Sequence, residues 1–285
     1  MASNPHPTND ALAHFIAEHP RLFVLTGAGC STGSGIPDYR DLEGGWKRRP
    51  PVTYQAFTGD AVTRARYWAR SLIGWRRFGR AQPNGTHRAL AALEAQGRIG
   101  MLLTQNVDGL HQSAGSRNVI DLHGRLDQVR CLSCEQRIAR DRFQRELEAS
   151  NPSWRDLDAL DGPDGDADLD GLDFSTFDVP ACVECGGLMK PDVVFFGENV
   201  PRDRFERASV ELDAADAMLV VGSSLMVFSG YRFARAAAAA KKPIAAVNLG
   251  RTRADDLLSL KIESDCAATL EAVALPLSRL RERVG

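Results

Sequence analysis

The sequence predicts an α/β fold: a Rossmann-like doubly wound parallel sheet that carries a smaller inserted domain. Three observations predict it. Short apolar runs ending in small or polar residues alternate with helix-forming segments, the pattern of a parallel sheet covered on both faces. The first run, RLFVLT (21–26), leads directly into closely spaced glycines, as in the opening βα turn of nucleotide-binding sheets. Two stretches, 41–85 and 126–192, break the alternation and read as insertions. The sheet domain is therefore expected from 1–40, 86–125 and 193–285, with the two insertions forming the small domain.

A chain of 285 residues can bury a full core without disulfide staples. Apolar residues at 44% and charged residues at 25% exclude wholesale disorder. A net charge of −2 gives no global case for nucleic acid. No apolar run approaches the ~18 residues of a membrane span. The opening MASNPHPTND has no basic or Arg-rich amphipathic targeting pattern, so a cytoplasmic location is expected. Nothing in the pattern calls for an oligomer, and a monomer is expected.

In chain order, residues 10–19 suit a short amphipathic helix capped by Asp10. THRALAALEAQG predicts a helix with Thr86 as cap and Gly97 as stop. Strands are expected at 99–104, 118–121, 217–222 and 243–248, and YRFARAAAAAKK between the last two is a helix former by propensity. VVFF (193–196) reads as a strand, either an edge open to an added peptide or a plain sheet strand.

Several constellations carry chemistry. TGAGCSTGSGIPDYR (26–40) places backbone N–H groups where a pyrophosphate could approach a helix start. It departs from the GxGxxG fingerprint, and a plain structural turn would look similar. Asp38 and Arg40 follow at once, near whatever the glycines bind. TQNVDGLHQ (104–112) begins where a strand ends, so Gln105, Asn106 and Asp108 could face the ligand crevice. His123, in IDLHGRL, also follows a strand, and an imidazole can accept a proton near neutral pH. GSSLMVFSG and VNLG put small residues, Ser or Asn, at two further strand ends.

Of six cysteines, four form two CxxC pairs, Cys131/Cys134 and Cys182/Cys185. Four thiolates in two knuckles make a closed structural zinc site of the ribbon type. Residues 135–181 separate the knuckles, longer than the usual ribbon gap, so a sizeable loop is expected between them. A redox CxxC would want a thioredoxin-like helix start, which neither pair has.

In combination, GAGCSTGSGIPDYR, PNGTH (83–87), TQNVDGLH, LHG, the two knuckles, KPDVVFFGE, VVGSSL and VNLG identify the chain as resembling the sirtuins, NAD-dependent protein-lysine deacylases. The likeness runs from Leu25 to Cys266. TQNVDGLHQSAGSRNVIDLHG, the long gap between knuckles, SGYRF and TRADDL resemble the class II, lipoamidase-like branch.

The resemblance implies NAD as co-substrate, one structural zinc per chain, and acylated-lysine proteins or peptides as partners. It implies that Gly27, Ala28, Gly29 and Ser31 hold the pyrophosphate. Ile36, Pro37, Asp38 and Arg40 would line or flank the nicotinamide pocket. Gln105, Asn106, Val107 and Asp108 would bind the ribose and nicotinamide side. Gly222, Ser223, Ser224, Asn248, Leu249, Gly250 and Cys266 would contact the adenosine half. His123 would be the general base, with Asn106 and Asp108 beside it. The implied reaction moves the acyl group from lysine to ADP-ribose and releases nicotinamide. The acylated peptide would lie between VVFFGE and the SSLMVFS loop as an added strand.

Two other readings use the same sequence: mono-ADP-ribosyl transfer from the same NAD site, and a non-catalytic NAD-responsive binding module. An intact His123 with Asn106 and Asp108 argues against the second. The stretch after GIPDYR lacks the Tyr and Arg pair of acidic-acyl deacylases, which disfavours desuccinylation and leaves Arg48 and Arg49 as the remaining acid partners. The Arg- and Trp-rich stretch 64–80 reads as a small-domain helix with its aromatic side packed and its Arg side wet, not as a nucleic-acid surface. In DGPDGDADLDG, Asp166, Asp168, Asp170 and Gly171 imitate a calcium loop, but Phe177 stands where the bidentate Glu would be. A solvated acidic loop, bordering the acyl-lysine entrance, is expected instead.

Overall fold

The structure, a computed structural model, describes residues 7–282 apart from Arg49, Leu160, Asp161, Asp168 and Asp170. Asp168 and Asp170 of the calcium-like pattern, and Arg49, thus lie outside the described residues.

Six parallel strands form the main sheet: β1 (Leu22–Thr26), β2 (Ile99–Thr104), β3 (Val119–Asp121), β7 (Ala217–Val221), β8 (Ile244–Val247) and β9 (Leu260–Ile262). Their order is β3-β2-β1-β7-β8-β9, so the winding direction reverses between β1 and β7. Crevices at such a reversal, beyond the carboxyl ends of the strands, are where open α/β sheets bind ligands.

Successive side chains on a strand point to opposite faces. Leu22 and Val24 of β1 join Leu12 and Ile16 of α1 (Pro7–Glu18), Leu90 and Leu93 of α4 (Gly85–Ala95), and Leu270 of α9 (Cys266–Glu282). Phe23 and Leu25 join Ala208 and Leu212 of α7 (Arg202–Ala214) and Phe233 and Ala237 of α8 (Phe228–Ala239). Because both faces are covered, every residue of β1, β7 and β8 is buried, which is why their sequences are continuous apolar runs.

The small domain is built from both insertions. The first supplies α2 (Tyr54–Gly59) and α3 (Ala61–Phe78). The second supplies a three-stranded antiparallel sheet, β4 (Gly124–Cys131), β5 (Arg137–Ala139) and β6 (Met189–Val193), with α6 (Arg140–Ser150). One core joins them. Trp68 of α3 is fully buried, packs edge-on to Phe143 of α6 at 4.7 Å, and donates its indole N–H to the Met189 carbonyl at 3.1 Å. Truncating such an aromatic to Ala costs about 3–5 kcal/mol.

Four element-level expectations need correction. The first helix begins at Pro7, a turn before Asp10. The cap of α4 is Asn84 and not Thr86: its side chain accepts the Thr86 N–H at 2.9 Å, and its own N–H donates to His87 Nδ1 at 3.3 Å. VVFF is not a strand of its own. β6 ends at Val193, because the chain then turns so that Val194 donates to the His123 carbonyl at 2.7 Å and Phe196 bridges Thr53. Finally, the Arg face of α3 is wet only in part: Arg77 is exposed, but Arg64, Arg70 and Arg76 are half-buried. Arg64 donates to the Phe57 carbonyl at 2.9 Å, Arg70 grips Asp166 through two bonds of 2.7 and 2.8 Å, and Arg76 bonds the Leu157 carbonyl at 3.0 Å. The chain between the cysteine knuckles folds over that face. Among the described residues, no helix is long and apolar enough to cross a membrane.

Candidate functional site

A cavity of about 860 Å³ opens at the winding reversal, between the sheet and the small domain. Its floor forms because the loop after β1 and the loop after β7 meet backbone to backbone. Gly29 N–H donates to the Gly222 carbonyl at 2.8 Å, and Gly222 N–H to the Val247 carbonyl at 2.9 Å. Gly222 has φ +58°, and a Cβ there would lie 2.5 Å from the Cys30 nitrogen, so only glycine lets the two loops touch.

The predicted residues divide into those that line this cavity and those that stand behind it. Gly27, Ala28, Gly29, Asp38 and Arg40 line it, as do Gln105, Asn106, Val107 and His123. Gly222, Ser223, Ser224, Asn248 and Leu249 complete that lining. Ser31 and Asp108 stand behind, joined by a hydrogen bond of 2.6 Å from Ser31 Oγ to Asp108 Oδ2. Ile36 and Pro37 border a separate pocket of about 670 Å³. Gly250 and Cys266 line neither; Gly250 N–H donates to Glu263 at 3.1 Å, and Cys266 is buried with Sγ 3.5 Å from the Val247 carbonyl. Arg48 also borders the main cavity.

Asn106 is buried and held on three sides. Its Nδ2 donates to the Gly27 carbonyl at 3.0 Å and to Ser31 Oγ at 3.1 Å, and its backbone N–H donates to Thr104 Oγ1 at 3.1 Å. Gln105 Nε2 reaches across the reversal to Ser223 Oγ at 2.7 Å. The strand-end side chains are therefore ordered before any ligand arrives.

His123 Nδ1 lies 2.9 Å from the Gln105 carbonyl oxygen, and its Nε2 lies 2.8 Å from Ser229 Oγ. A carbonyl only accepts, so Nδ1 carries the proton and Nε2 presents its lone pair to the Ser229 hydroxyl. Burial pushes the imidazole pKa down to about 4, reinforced by the Arg204 charge and opposed by the Gln105 bond. The ring is consequently neutral at pH 7, with its basic nitrogen turned toward a hydroxyl donor.

The outer wall comes from the small domain. Tyr67, Arg66, Arg70, Asp164 and Asp166 border the same cavity, with Tyr39 of the loop after β1 beside them. The Tyr39 hydroxyl hydrogen-bonds Asp164. Burial, with the Asp108 and Asp166 charges, pushes the Asp164 carboxyl up to about 6 against that bond. The acidic segment thus contributes wall residues to the cavity, as well as solvated ones.

At the other end of the small domain, the four knuckle cysteines bring their sulfurs within 4.8 Å of one another. Cys131 and Cys185 Sγ are 3.5 Å apart, and Cys134 and Cys182 Sγ are 3.7 Å apart. Tetrahedral Zn–S bonds of about 2.3 Å place sulfurs about 3.8 Å apart, so the set fits zinc and leaves no open coordination position. Ser133 N–H also points at Cys131 Sγ, at 3.4 Å, the kind of donor that steadies a metal-bound thiolate.

Sequence reasoning did not single out Ser229, in the first turn of α8, although it lies inside GSSLMVFSG and opens SGYRF. It also missed a buried polar cluster of Thr26, Thr104, His87 and His111. His87 sits inside PNGTH on α4 and His111 inside NVDGLH on α5 (Leu110–Ser113), but only the fold brings their rings to 4.7 Å.

The comparisons with known proteins agree with this architecture. A family profile described as "Sir2 family" matches residues 27–229. An NAD-dependent protein deacetylase of Xanthomonas campestris pv. campestris is 68% identical over 269 residues, 94% of this chain and 92% of that protein. An NAD-dependent protein deacetylase 2 of Bradyrhizobium diazoefficiens is 66% identical over 268 residues, 94% and 98% of the two chains. A solved structure of Sir2 with a p53 peptide and NAD+ superposes with a TM-score of 0.71 at 30% identity, covering 96% of this chain and 98% of that one. A family profile over most of the chain and relatives of this identity make the conclusion plain: the chain belongs to the Sir2 family.

Proposed function

We propose that this chain is an NAD-dependent protein-lysine deacylase that moves the acyl group of an acylated lysine to ADP-ribose and releases nicotinamide. The observation that carries the reading is His123, whose Nδ1–H is spent on Gln105 and whose basic Nε2 faces a hydroxyl in the cavity that Asn106 and the glycine loops line. Bound NAD supplies an electrophilic ribose carbon with nicotinamide as its leaving group. The chain's residues do the rest by positioning. Gly27, Ala28 and Gly29 offer a backbone surface free of side-chain bulk to the pyrophosphate, with Ser31 behind it. Asn106 and Asp108, with Gln105 and Val107, hold the ribose and nicotinamide side, and Asp38 and Arg40 border it. Ser223, Ser224, Asn248 and Leu249 receive the adenosine half. His123 Nε2 takes a proton from a ribose hydroxyl that replaces Ser229 as its donor.

Ile36, Pro37, Gly250 and Cys266 support these loops from outside the cavity. The acylated peptide enters beside 194–198, and the four cysteines hold one structural zinc. We place the chain near the class II, lipoamidase-like branch on its TQNVDGLHQSAGSRNVIDLHG run and the long segment between the knuckles. We also retain the division into a sheet domain (1–40, 86–125, 193–285) and a small domain (41–85, 126–192), a cytoplasmic location and a monomeric state. The test is mass spectrometry of a reaction with NAD and a panel of lysine-acylated peptides. Deacylated peptide with O-acyl-ADP-ribose is the expected result. ADP-ribose left on protein would favour transfer instead, and no NAD consumption with any acyl group would overturn the reading.

A further inference from the structure

Beneath the cavity floor, three buried polar residues from three separate elements form a chain of hydrogen bonds that ends on Asn106. His111 Nε2 lies 3.0 Å from Thr26 Oγ1, which lies 2.9 Å from Thr104 Oγ1, which accepts the Asn106 backbone N–H at 3.1 Å. His87 packs beside His111, ring centroids 4.7 Å apart and planes tilted by 56°. Each ring leaves one buried nitrogen with no partner among the described residues: Nε2 of His87 and Nδ1 of His111. Thr26, Thr104, His87 and His111 are all at most 3% exposed.

The direction of the chain follows from donor counting. Asn84 N–H donates to His87 Nδ1, so His87 carries its proton on Nε2. Thr26 Oγ1 donates to Thr104 Oγ1, so only its lone pairs are left for His111 Nε2. His111 is then the Nε2–H tautomer and donates to Thr26. The single Thr26 hydroxyl proton goes on to Thr104, and Thr104 is left to accept from Asn106. Burial, with His87 beside it, pushes the His111 pKa down to about 3, consistent with a neutral ring.

We propose that His111, acting through Thr26 and Thr104, is a positioning residue that sets the Asn106 loop for the nicotinamide side of NAD. This rests on the functional reading above. Neither His111 nor the two threonines lines the cavity, so the effect is carried by the backbone of Asn106.

The experiment pairs imidazole nitrogen NMR of histidine-labelled protein with NAD titration calorimetry on Thr26→Val and Thr26→Ser. We expect His111 as the neutral Nε2–H tautomer at pH 7. Thr26→Val keeps the shape but loses both bonds; it should perturb the His111 nitrogens and weaken NAD binding about three- to tenfold, with the KM for acylated peptide unchanged. Thr26→Ser should restore both. Finding His111 protonated on Nδ1, or NAD affinity unchanged in a folded Thr26→Val protein, overturns the proposal. Failure of the functional reading would look different: wild-type protein that yields no deacylated peptide.

Discussion

His123 is anchored by the backbone carbonyl of Gln105, the residue whose side chain spans the sheet reversal to Ser223. One residue therefore ties the tautomer of the imidazole to the closure of the two loops that form the cavity floor. If His123 acts as the base, His123→Ala should lower kcat by about 10²–10⁴ while NAD affinity stays within a few fold. Steady-state kinetics with calorimetry checks this, and wild-type turnover would remove His123 from its role. Because the unliganded ring titrates near 4, kcat/KM should stay flat from pH 7.5 down through 6.5, where an ordinary histidine would already lose activity.

Stability should also depend on pH in a defined direction. His111 and His123 have folded pKa values of about 3 and about 4, below their ordinary 6.5. Between those values the unfolded chain binds more protons, so stability falls as pH drops from 6.5 toward 4. A fully buried imidazole that stays neutral accounts for about 3 kcal/mol over that range. Asp164 acts oppositely. Its carboxyl is pushed up to about 6, so the folded chain holds a proton that the unfolded chain has lost, and stability falls as pH rises from 4 to 6. Two imidazoles outweigh one carboxyl, and denaturation between pH 4 and 6.5 should show a net rise with pH. Asp164→Asn should steepen that rise, and His111→Gln should flatten it.

Zinc removal should unfold the small domain before the sheet. Cys131 and Cys182 belong to the same core as Trp68 and Phe143, so opening the knuckles exposes that core. Structural zinc contributes about 10–16 kcal/mol in finger peptides. Metal analysis should give one zinc per chain, and Cys131→Ser should lose both the metal and the cooperative melt. A metal-free protein of unchanged stability would contradict the assignment.

Gly74 of α3 meets the 162–167 turn so closely that a Cβ there would lie 2.1 Å from the Gly165 carbonyl oxygen. Gly74→Ala should therefore cost about 1–3 kcal/mol or push the turn away from the helix, although alanine favours helices elsewhere. Chemical denaturation measures the first outcome, and proteolysis within 158–172 the second.

Because Pro163, Asp164 and Asp166 border the cavity, deleting 158–172 should change the order of acyl-group preference. Competition among acylated peptides reads this directly. An unchanged order, with the deleted protein folded, would separate this loop from substrate choice.

Much of this was legible in residue order alone. A strand buried on both faces must be a continuous apolar run, so β1, β2, β7 and β8 announce themselves. Glycines at strand ends, paired cysteines and a histidine after a strand mark chemistry through local spacing. The short edge strand β9 (LKI) and the true bounds of β6 (MKPDV) were not legible, because charged residues or proline interrupt their apolar residues and only their partners define them. Nor was the Arg face of α3: long charged side chains look solvent-bound until a distant segment covers them.

Residue order alone specifies the doubly wound sheet, the zinc knuckles and the placing of Asn106 and His123 at strand ends, since each follows from periodicity or from spacing within a few residues. Folding had to supply which nitrogen of His123 is basic, which wall the acidic turn builds, and how His87 and His111 come to share one buried space. Those depend on hydrogen bonds between residues far apart in sequence, and such partners exist only once the chain has closed.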